Sequence, residues 1–361
     1  MIIGGTFDKF GGKTSMIVKL LSKYLSMPAV NGGTIWTMGA SKYVKGSLNI
    51  WMPNVPNEEA KIYPVKERGS ILICSKVMRP GYTVHDAVTR IFKMNGNAVI
   101  TITANEEGIY KFALVDALGN TWVRTRKIMD LARAIKRFVA WMKGVQRAKS
   151  NVIHRTDGKV VTTSQFVKDV EDNSLAVLCD INKDIADKAE NEAGSRYFGN
   201  ASTRCDLMFP SIKMREHFIY VSKRNVNKER LSPTDFVLCR NTSNGTDVMY
   251  VTDDQEAKPS VDTPIQLQLY AQLPNITCMI HGHAYIKEAP WTAEYWPCGD
   301  LREVPSALAS LEDCTMCINL RNHGFLAIGT CLDSLETMLR EIIMIPRVPG
   351  KEKILDKLSR T

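Results

Sequence analysis

Apolar positions in residues 1–148 follow two rhythms. Strand-type runs stand at MIIGGTF, SILICSKVM, NAVITITA and KFALVDALGNTWVRT, the last broken by a turn at Leu118-Gly119-Asn120. Helix-type spacing stands at KTSMIVKLLSKYL and TVHDAVTRIFKMN. A third helix is predicted within residues 124–150, where Ile128, Leu131, Ile135, Phe138 and Met142 fall on one stripe. Strands alternating with helices predict a Rossmann/flavodoxin-like α/β domain, with a parallel or mixed sheet covered on both faces.

The rhythm breaks between residues 146 and 164. This stretch is polar and carries the turn signal Thr156-Asp157-Gly158, so the chain divides here into domains of residues 1–148 and 149–361. The second part opens with helical patterning over residues 174–193. Short strand-type runs follow at TRCDLMF, FIYVS, DFVLCR, VMYVT, TCMIHGHAYI and TMCINLRNHGFLAIG, before a last helix in CLDSLETMLREIIMI. Neither an internal repeat nor a low-complexity tract is visible.

Composition narrows the class. The 361 residues are 44% hydrophobic, enough for two ordinary cores. No apolar run approaches the roughly 18–20 residues of a membrane span, and the N-terminus lacks the basic and apolar regions of a signal peptide. A soluble, cytoplasmic protein without a membrane partner is expected. Nine cysteines, an odd count, point to reduced thiols. Cys314 and Cys317 have CxxC spacing but lie in DCTMCINL, a buried-strand pattern, and read as core cysteines. The net charge of +9 is concentrated around the third helix. There Arg126, Arg133, Lys136, Arg137 and Lys143 lie off the apolar stripe, a solvated basic face rather than a nucleic-acid surface. Nucleic acid is not an expected partner, whereas a small anionic substrate is.

GGTFDKFGGKTS invites a phosphate-loop reading. That pattern needs a glycine where Phe7 stands, so the loop is out of register. The opening GGTFD is similar to nucleotidyltransferases, but Phe10-Gly11-Gly12 replaces their histidine pair. A strand, a glycine-rich loop and a helix from near Thr14 remain, either an anion-binding helix N-terminus or a tight turn.

The strongest chemical signal is IHGHAYI. Residues two apart on a strand share a face, so His281 and His283 project together while Gly282 leaves the opposite face uncrowded. His323 stands in an Asn-His-Gly turn between two apolar runs. Asp262 precedes Thr263-Pro264, a helix-start signal followed by Ile265, Leu269 and Gln272 on roughly one face. Three imidazoles and one carboxylate suit Zn²⁺, and Mn²⁺ or Co²⁺ would accept the same donors.

These residues resemble the class II aldolase/adducin family over roughly residues 175–344. Pro259-Ser260-Val261-Asp262 is similar to its acidic motif, 19 residues before His281-Gly282-His283, with Asn322-His323-Gly324 downstream. Gly199-Asn200-Ala201-Ser202 is similar to a further element. The resemblance implies an α/β/α domain with a mainly antiparallel central sheet. It implies a metal on His281, His283 and His323, with Asp262 as fourth ligand or catalytic carboxylate, and phosphate contacts from Asn200 and Ser260. Val261 replaces a serine of the pattern. Lys223 and Arg224 stand where a glycine-containing loop is usual and would offer an anion direct charge. The adjoining subunit commonly supplies an acid/base group, for which Glu294 and Tyr295 are candidates and Asp300 a third. No tyrosine follows Tyr295, where several members carry one.

The implied activity is that of a metal-dependent aldolase. It would cleave a small hydroxy-carbonyl compound, a sugar phosphate, by metal-stabilised enediolate chemistry. A sugar-phosphate 4-epimerase and a non-catalytic adducin-like interaction protein are the alternatives. The implied assembly is a homo-oligomer, a tetramer. The N-terminal domain would add a nucleotide or phosphate site of its own.

Overall fold

The computed structural model describes residues 2–5, 16–31, 48–52, 70–104, 109–148, 153–155, 174–189, 192–193, 196–205, 218–241, 248–251, 256–311 and 315–347. Two compact units result, residues 1–146 with 193–195, and residues 147–192 with 196–361.

The first unit is built on a seven-stranded mixed sheet. Its strands are β1 (Ile2–Gly5), β2 (Ala29–Asn31), β3 (Leu48–Trp51), β4 (Ile71–Val77), β5 (Ala98–Ala104), β6 (Tyr110–Asp116) and β7 (Thr121–Thr125). The spatial order is β2-β1-β3-β4-β5-β6-β7. The first five strands run parallel, while β5, β6 and β7 form an antiparallel meander. Helices α1 (Met16–Leu25), α2 (Val84–Lys93) and α3 (Ile128–Ala148) pack on it. One face carries Ile3, Ile50, Ile73, Ile100 and Leu114 under α1 and α3; the other carries Leu72, Cys74 and Val99 under α2.

Local chemistry sets the boundaries of these elements. Thr83 caps α2 and shares the Asp86 carboxylate through its backbone N–H (2.7 Å) and its hydroxyl (2.9 Å). Buried Asp116 closes the β6–β7 turn, accepting from the amides of Leu118 and Asn120 at 2.9 Å and from Trp122 Nε1 at 3.2 Å. Along α3, Leu131, Ile135 and Phe138 are fully buried, whereas Arg133, Lys136, Arg137 and Lys143 are exposed. The basic stripe is thus solvated. The glycine-rich loop, residues 6–15, lies outside the described residues.

The second unit has an eight-stranded sheet. Its strands are β8 (Ile153–Arg155), β9 (Asn200–Cys205), β10 (Phe218–Ser222), β11 (Phe236–Asn241), β12 (Val248–Val251), β13 (Cys278–Gly282), β15 (Cys317–Leu320) and β16 (Gly324–Gly329); a short strand β14 (Ala284–Ile286) lies outside it. The order is β15-β16-β13-β9-β10-β11-β12-β8, antiparallel except for the β12–β8 pair. β14 pairs instead with β17 (Met344–Pro346). Helices α4 (Ser174–Ala186) and α7 (Leu332–Glu341) cover one face through Leu178, Leu335 and Leu339. Helices α5 (Thr263–Gln272) and α6 (Glu303–Ser310) cover the other through Ile265, Leu269 and Ala307. The result is the expected three-layer α/β/α arrangement with a mainly antiparallel sheet. Cys317 is half-buried at the start of β15; its CxxC partner Cys314 lies outside the described residues.

β13 and β16 approach unusually closely at one end. A Cβ on Gly282 would meet the Phe325 ring at 2.6 Å, and one on Gly324 would meet the Gly282 carbonyl oxygen at 2.1 Å. The face opposite the histidines is therefore filled by Phe325 rather than uncrowded, and glycine is what lets that ring in. Gly324→Ala should cost about 3 kcal/mol, because the opposing atom is backbone and cannot turn away. Gly144→Ala, in α3 where a Cβ meets nothing within 4 Å, should stabilise by about 1 kcal/mol. Urea denaturation followed by circular dichroism measures both.

Candidate metal centre

β13 delivers the first two histidines. Met279 and His281 alternate onto the α5 face of the sheet, and His283 follows just past the strand end. The turn between β15 and β16 delivers the third, with Asn322 at φ 57° preceding it. All three are buried. Their ring centroids are 4.6 Å apart for His281–His323, 5.2 Å for His281–His283 and 5.4 Å for His283–His323. One nitrogen from each lies within 4.8 Å of the others.

The ring orientations follow from their neighbours. His281 Nδ1 lies 2.7 Å from the Phe325 carbonyl oxygen. A carbonyl only accepts, so Nδ1 carries the proton and Nε2 keeps its lone pair. His283 stacks on Phe198 at 4.6 Å and 12°. His281 Nε2 and His283 Nδ1 are buried without a hydrogen-bond partner. A polar atom in that state costs free energy unless something pairs with it. A divalent cation fits the need: the converging lone pairs are imidazole nitrogens, the donor type such ions take.

Asp262 stands beside this triad without joining it. It precedes α5, and both carboxylate oxygens are engaged: Asn200 Nδ2 donates to Oδ2 at 2.9 Å, and the Gly299 amide donates to Oδ1 at 2.8 Å. Gln266 Nε2 donates to Asn200 Oδ1 at 2.7 Å. The Asn200 amide is thus committed to Asp262 and Gln266 rather than turned toward a ligand. Gly299 adopts φ +74°, and a Cβ there would meet the Val261 carbonyl oxygen at 2.5 Å. Only glycine brings this amide onto the carboxylate. Ser260 is buried in the same turn, its hydroxyl accepting from the Asp262 amide at 3.3 Å.

Two further groups escaped the sequence reading. Cys298 Sγ lies 3.2 Å from His323 Nε2, and Asp262, Cys298 and His323 form a second donor cluster. Buried Glu303, in the first turn of α6, places Oε1 3.5 Å from His323 Nδ1, long for a hydrogen bond but close enough for charge to act. Neither residue carries a local motif. Only the turn signal Pro297-Cys298-Gly299-Asp300 ahead of a helix marks the place. Asp300 itself is fully buried and held by Arg302, at 2.6 Å from Nη2, in a structural pair.

Arg224 and Lys223 follow β10. Their amides bond to Lys258 and Asp235 carbonyls at 2.8 Å and 2.7 Å, which fixes the turn. Arg224 is exposed, yet crowding by surrounding protein lowers its pKa, and the charge of nearby Asp262 opposes this. Glu294 is exposed and stands outside both donor clusters; Tyr295 is half-buried in the same loop. A cavity of about 20 Å³ lined by Asn200, Asp262, Gln266, His281, Glu303 and His323 has room for a water molecule, not for a substrate.

The family model of the class II aldolase and adducin N-terminal domain matches residues 176–289. Over those residues the second unit is similar to that family's domain. A methylthioribulose-1-phosphate dehydratase from Picosynechococcus sp. is 32% identical over 69 residues, 19% of this chain and 30% of the relative. The chain thus spans about 30% of the length of the curated relative it matches. Among solved structures, a sugar-phosphate aldolase from Thermotoga maritima is 12% identical, covering 52% of this chain and 92% of its own at TM-score 0.37. An L-fuculose 1-phosphate aldolase from Glaciozyma antarctica is 14% identical, covering 56% and 86% at TM-score 0.32. Members of this aldolase-like family are generally divalent-metal-dependent enzymes. Among the described residues of this chain, no helix is long and apolar enough to cross a membrane.

Electrostatics sets the protonation of the histidine site. Burial pushes His281 down to about 4, with His323 adding to the effect, and pushes His283 well below its usual range. Burial also disfavours charge on His323, but Cys298 and Glu303 outweigh it and hold His323 well above its usual range. Burial therefore holds His281 and His283 in the neutral form at pH 7, while Cys298 and Glu303 favour the doubly protonated form of His323. Divalent metal uptake by the metal-free protein at pH 7 should accordingly release about one proton, that of His323. Titration calorimetry in two buffers of different ionisation enthalpy measures this; release of two or more protons would contradict the assignment.

Proposed function

We propose that the second unit is a divalent-metal-dependent lyase of the class II aldolase type, cleaving a small phosphorylated hydroxy-carbonyl compound. The observation that carries this reading is the buried triad of His281, His283 and His323, one nitrogen of each within 4.8 Å of the others, with His281 Nε2 and His283 Nδ1 unpaired. These three residues would hold the metal, with zinc the first choice for an imidazole set. When bound, such an ion acts as a Lewis acid toward the oxygens of a carbonyl substrate.

The chain's own residues supply the remaining functions. Asp262, its two oxygens held by Asn200 and Gly299, is an oriented carboxylate at the rim of the triad and takes the acid/base role rather than that of fourth ligand. Glu303 orients His323 from behind, as carboxylates do for ligating histidines. Arg224, in the field of Asp262, meets the substrate anion together with Lys223. Asn200 and Ser260 act on substrate through the turn that carries Asp262. In the homotetramer implied by the family resemblance, Glu294 or Tyr295 serves a neighbouring subunit's site. We place the protein in the cytoplasm.

A second reading, metal-assisted dehydration, draws on the local identity to a methylthioribulose-1-phosphate dehydratase; 4-epimerisation is a third. In the first unit, β1 flanked by β2 and β3 within five parallel strands supports a flavodoxin-like assignment. The contact division after Gln146 supports a domain boundary near residue 148.

The metal comes first in testing. Purified protein should contain about one divalent ion per chain, and His281→Ala should lose it and lower the melting temperature toward that of chelator-treated wild type. No stoichiometric metal after reconstitution would sink the enzymatic reading and favour an adducin-like role. Asp262→Asn should keep the metal while kcat on the best substrate falls about 10²–10⁴-fold. Loss of metal in that variant would instead make Asp262 a ligand. NMR of sugar phosphates incubated with the holoenzyme separates cleavage, epimerisation and dehydration by product.

A further inference from the structure

Three imidazoles leave a zinc-type ion one donor short of its tetrahedral shell. His323 belongs to two donor clusters at once, one with His281 and His283 and the other with Asp262 and Cys298. Among the described histidine, cysteine, aspartate and glutamate residues, no cluster of three or more donors adds any other group to a triad histidine. A fourth protein donor is therefore Asp262 or Cys298.

Asp262 is occupied elsewhere. Its Oδ2 accepts from Asn200 Nδ2 at 2.9 Å and its Oδ1 from the Gly299 amide at 2.8 Å. Cys298 stands at the one nitrogen of His323 that is left for a ligand. Glu303 Oε1 faces Nδ1 from 3.5 Å, so Nε2 is the ligating atom, and Cys298 Sγ lies 3.2 Å from it. Two donors of one tetrahedral zinc, about 2.1 Å and 2.3 Å from the ion, stand about 3.6 Å from each other. The sulfur and Nε2 thus already have nearly the separation that a shared ion demands.

The backbone around the sulfur is fixed. The Gly299 amide is tied to Asp262, the Asp300 amide donates to the Pro297 carbonyl at 3.1 Å, and the buried Asp300 carboxylate is held by Arg302. Cys298 is half-buried in this turn. It does not cluster with His281 and His283, so the sulfur approaches from the His323 side and its bond forms on loading. An independent observation places a cation here: His281 Nε2 and His283 Nδ1 are buried without a hydrogen-bond partner.

We propose, on the metal reading above, that Cys298 is the fourth protein ligand of the ion, completing a set of three imidazoles and one thiolate that favours zinc over manganese. The soft sulfur supplies the preference, since a carboxylate or water in its place suits manganese as well. On loading, the proton shared between Sγ and His323 Nε2 passes to solvent and both atoms bond to the ion. Release of about one proton is therefore retained. Asp262 keeps its two hydrogen bonds and stays available for proton transfer. The ion takes a substrate oxygen by expanding to five donors.

Full-length protein is freed of metal and loaded with Zn²⁺ or Co²⁺. X-ray absorption at the zinc edge of the wild type should show one sulfur at about 2.3 Å beside nitrogens at about 2.0–2.1 Å, a reading that needs no variant to fold. The cobalt form should show a sulfur-to-metal charge-transfer band in the near ultraviolet. Cys298→Ser should abolish that band, whereas Cys331→Ser, at an exposed thiol preceding α7, should keep it. Cys298→Ser should also weaken Zn²⁺ binding by at least about tenfold, the least that losing a group which merely supports a ligand costs, and Mn²⁺ binding by less. A loaded protein with no sulfur in either spectrum overturns the proposal and leaves the triad reading standing. Tighter Zn²⁺ binding by Cys298→Ser overturns it as well, making the cysteine a competitor for His323. Failure to take up either ion overturns the triad reading and this one with it.

Discussion

The hydrogen bond from His281 to the Phe325 carbonyl is the constraint on which the second unit's site depends. It crosses from β13 to β16, so the two strands that bring the histidines together also decide which nitrogen of His281 is left for a ligand. Sheet register and site geometry are one quantity here: slipping β16 by one residue would move the carbonyl, the ring and the His323 turn at once. The unpaired nitrogens are a cost that a ligand would remove, and the burial that imposes it also keeps His281 and His283 neutral.

A second layer of hydrogen bonds keeps the acidic group at its post. Asn200 pairs in register with His281, and its side chain spans from β9 to Asp262 and Gln266 on α5. Gly299 closes the other side of the carboxylate. The carboxylate is thus positioned by two segments far from it in the chain, β9 and the turn before α6. Positioning of this kind leaves little reorganisation for a reaction to perform.

Much of this was readable in the chain. The i, i+2 spacing of His281 and His283 needs only a strand to become a shared face, and Asn322-His323-Gly324 announces a turn. The helix start at Asp262-Thr263-Pro264 and the stripe of Leu131, Ile135 and Phe138 were equally plain. Cys298 and Glu303 were not, because their relevance arises from α6 packing beneath the β15–β16 turn, which no local pattern encodes. Asn200 was visible as a motif, but its bonds to Asp262 and Gln266 appear only once β9 lies beside β13. In the first unit the strands were evident, whereas the row of Thr101, Ala113 and Arg124 exists only after three strands have paired, with a register irregularity between Leu114 and Val115.

Where β13 and β16 cross, the chain is barred from single-step change. A side chain gained at Gly282 has to be matched by a smaller ring or none at Phe325, and Gly324 has no such compensating neighbour because it faces backbone. Drift in this neighbourhood must proceed in blocks. A descendant that abandons the close crossing gives up the carbonyl that orients His281 and the turn that presents His323 in the same event. The histidines are inherited or lost as a set, and sequences intermediate between the two outcomes should be scarce.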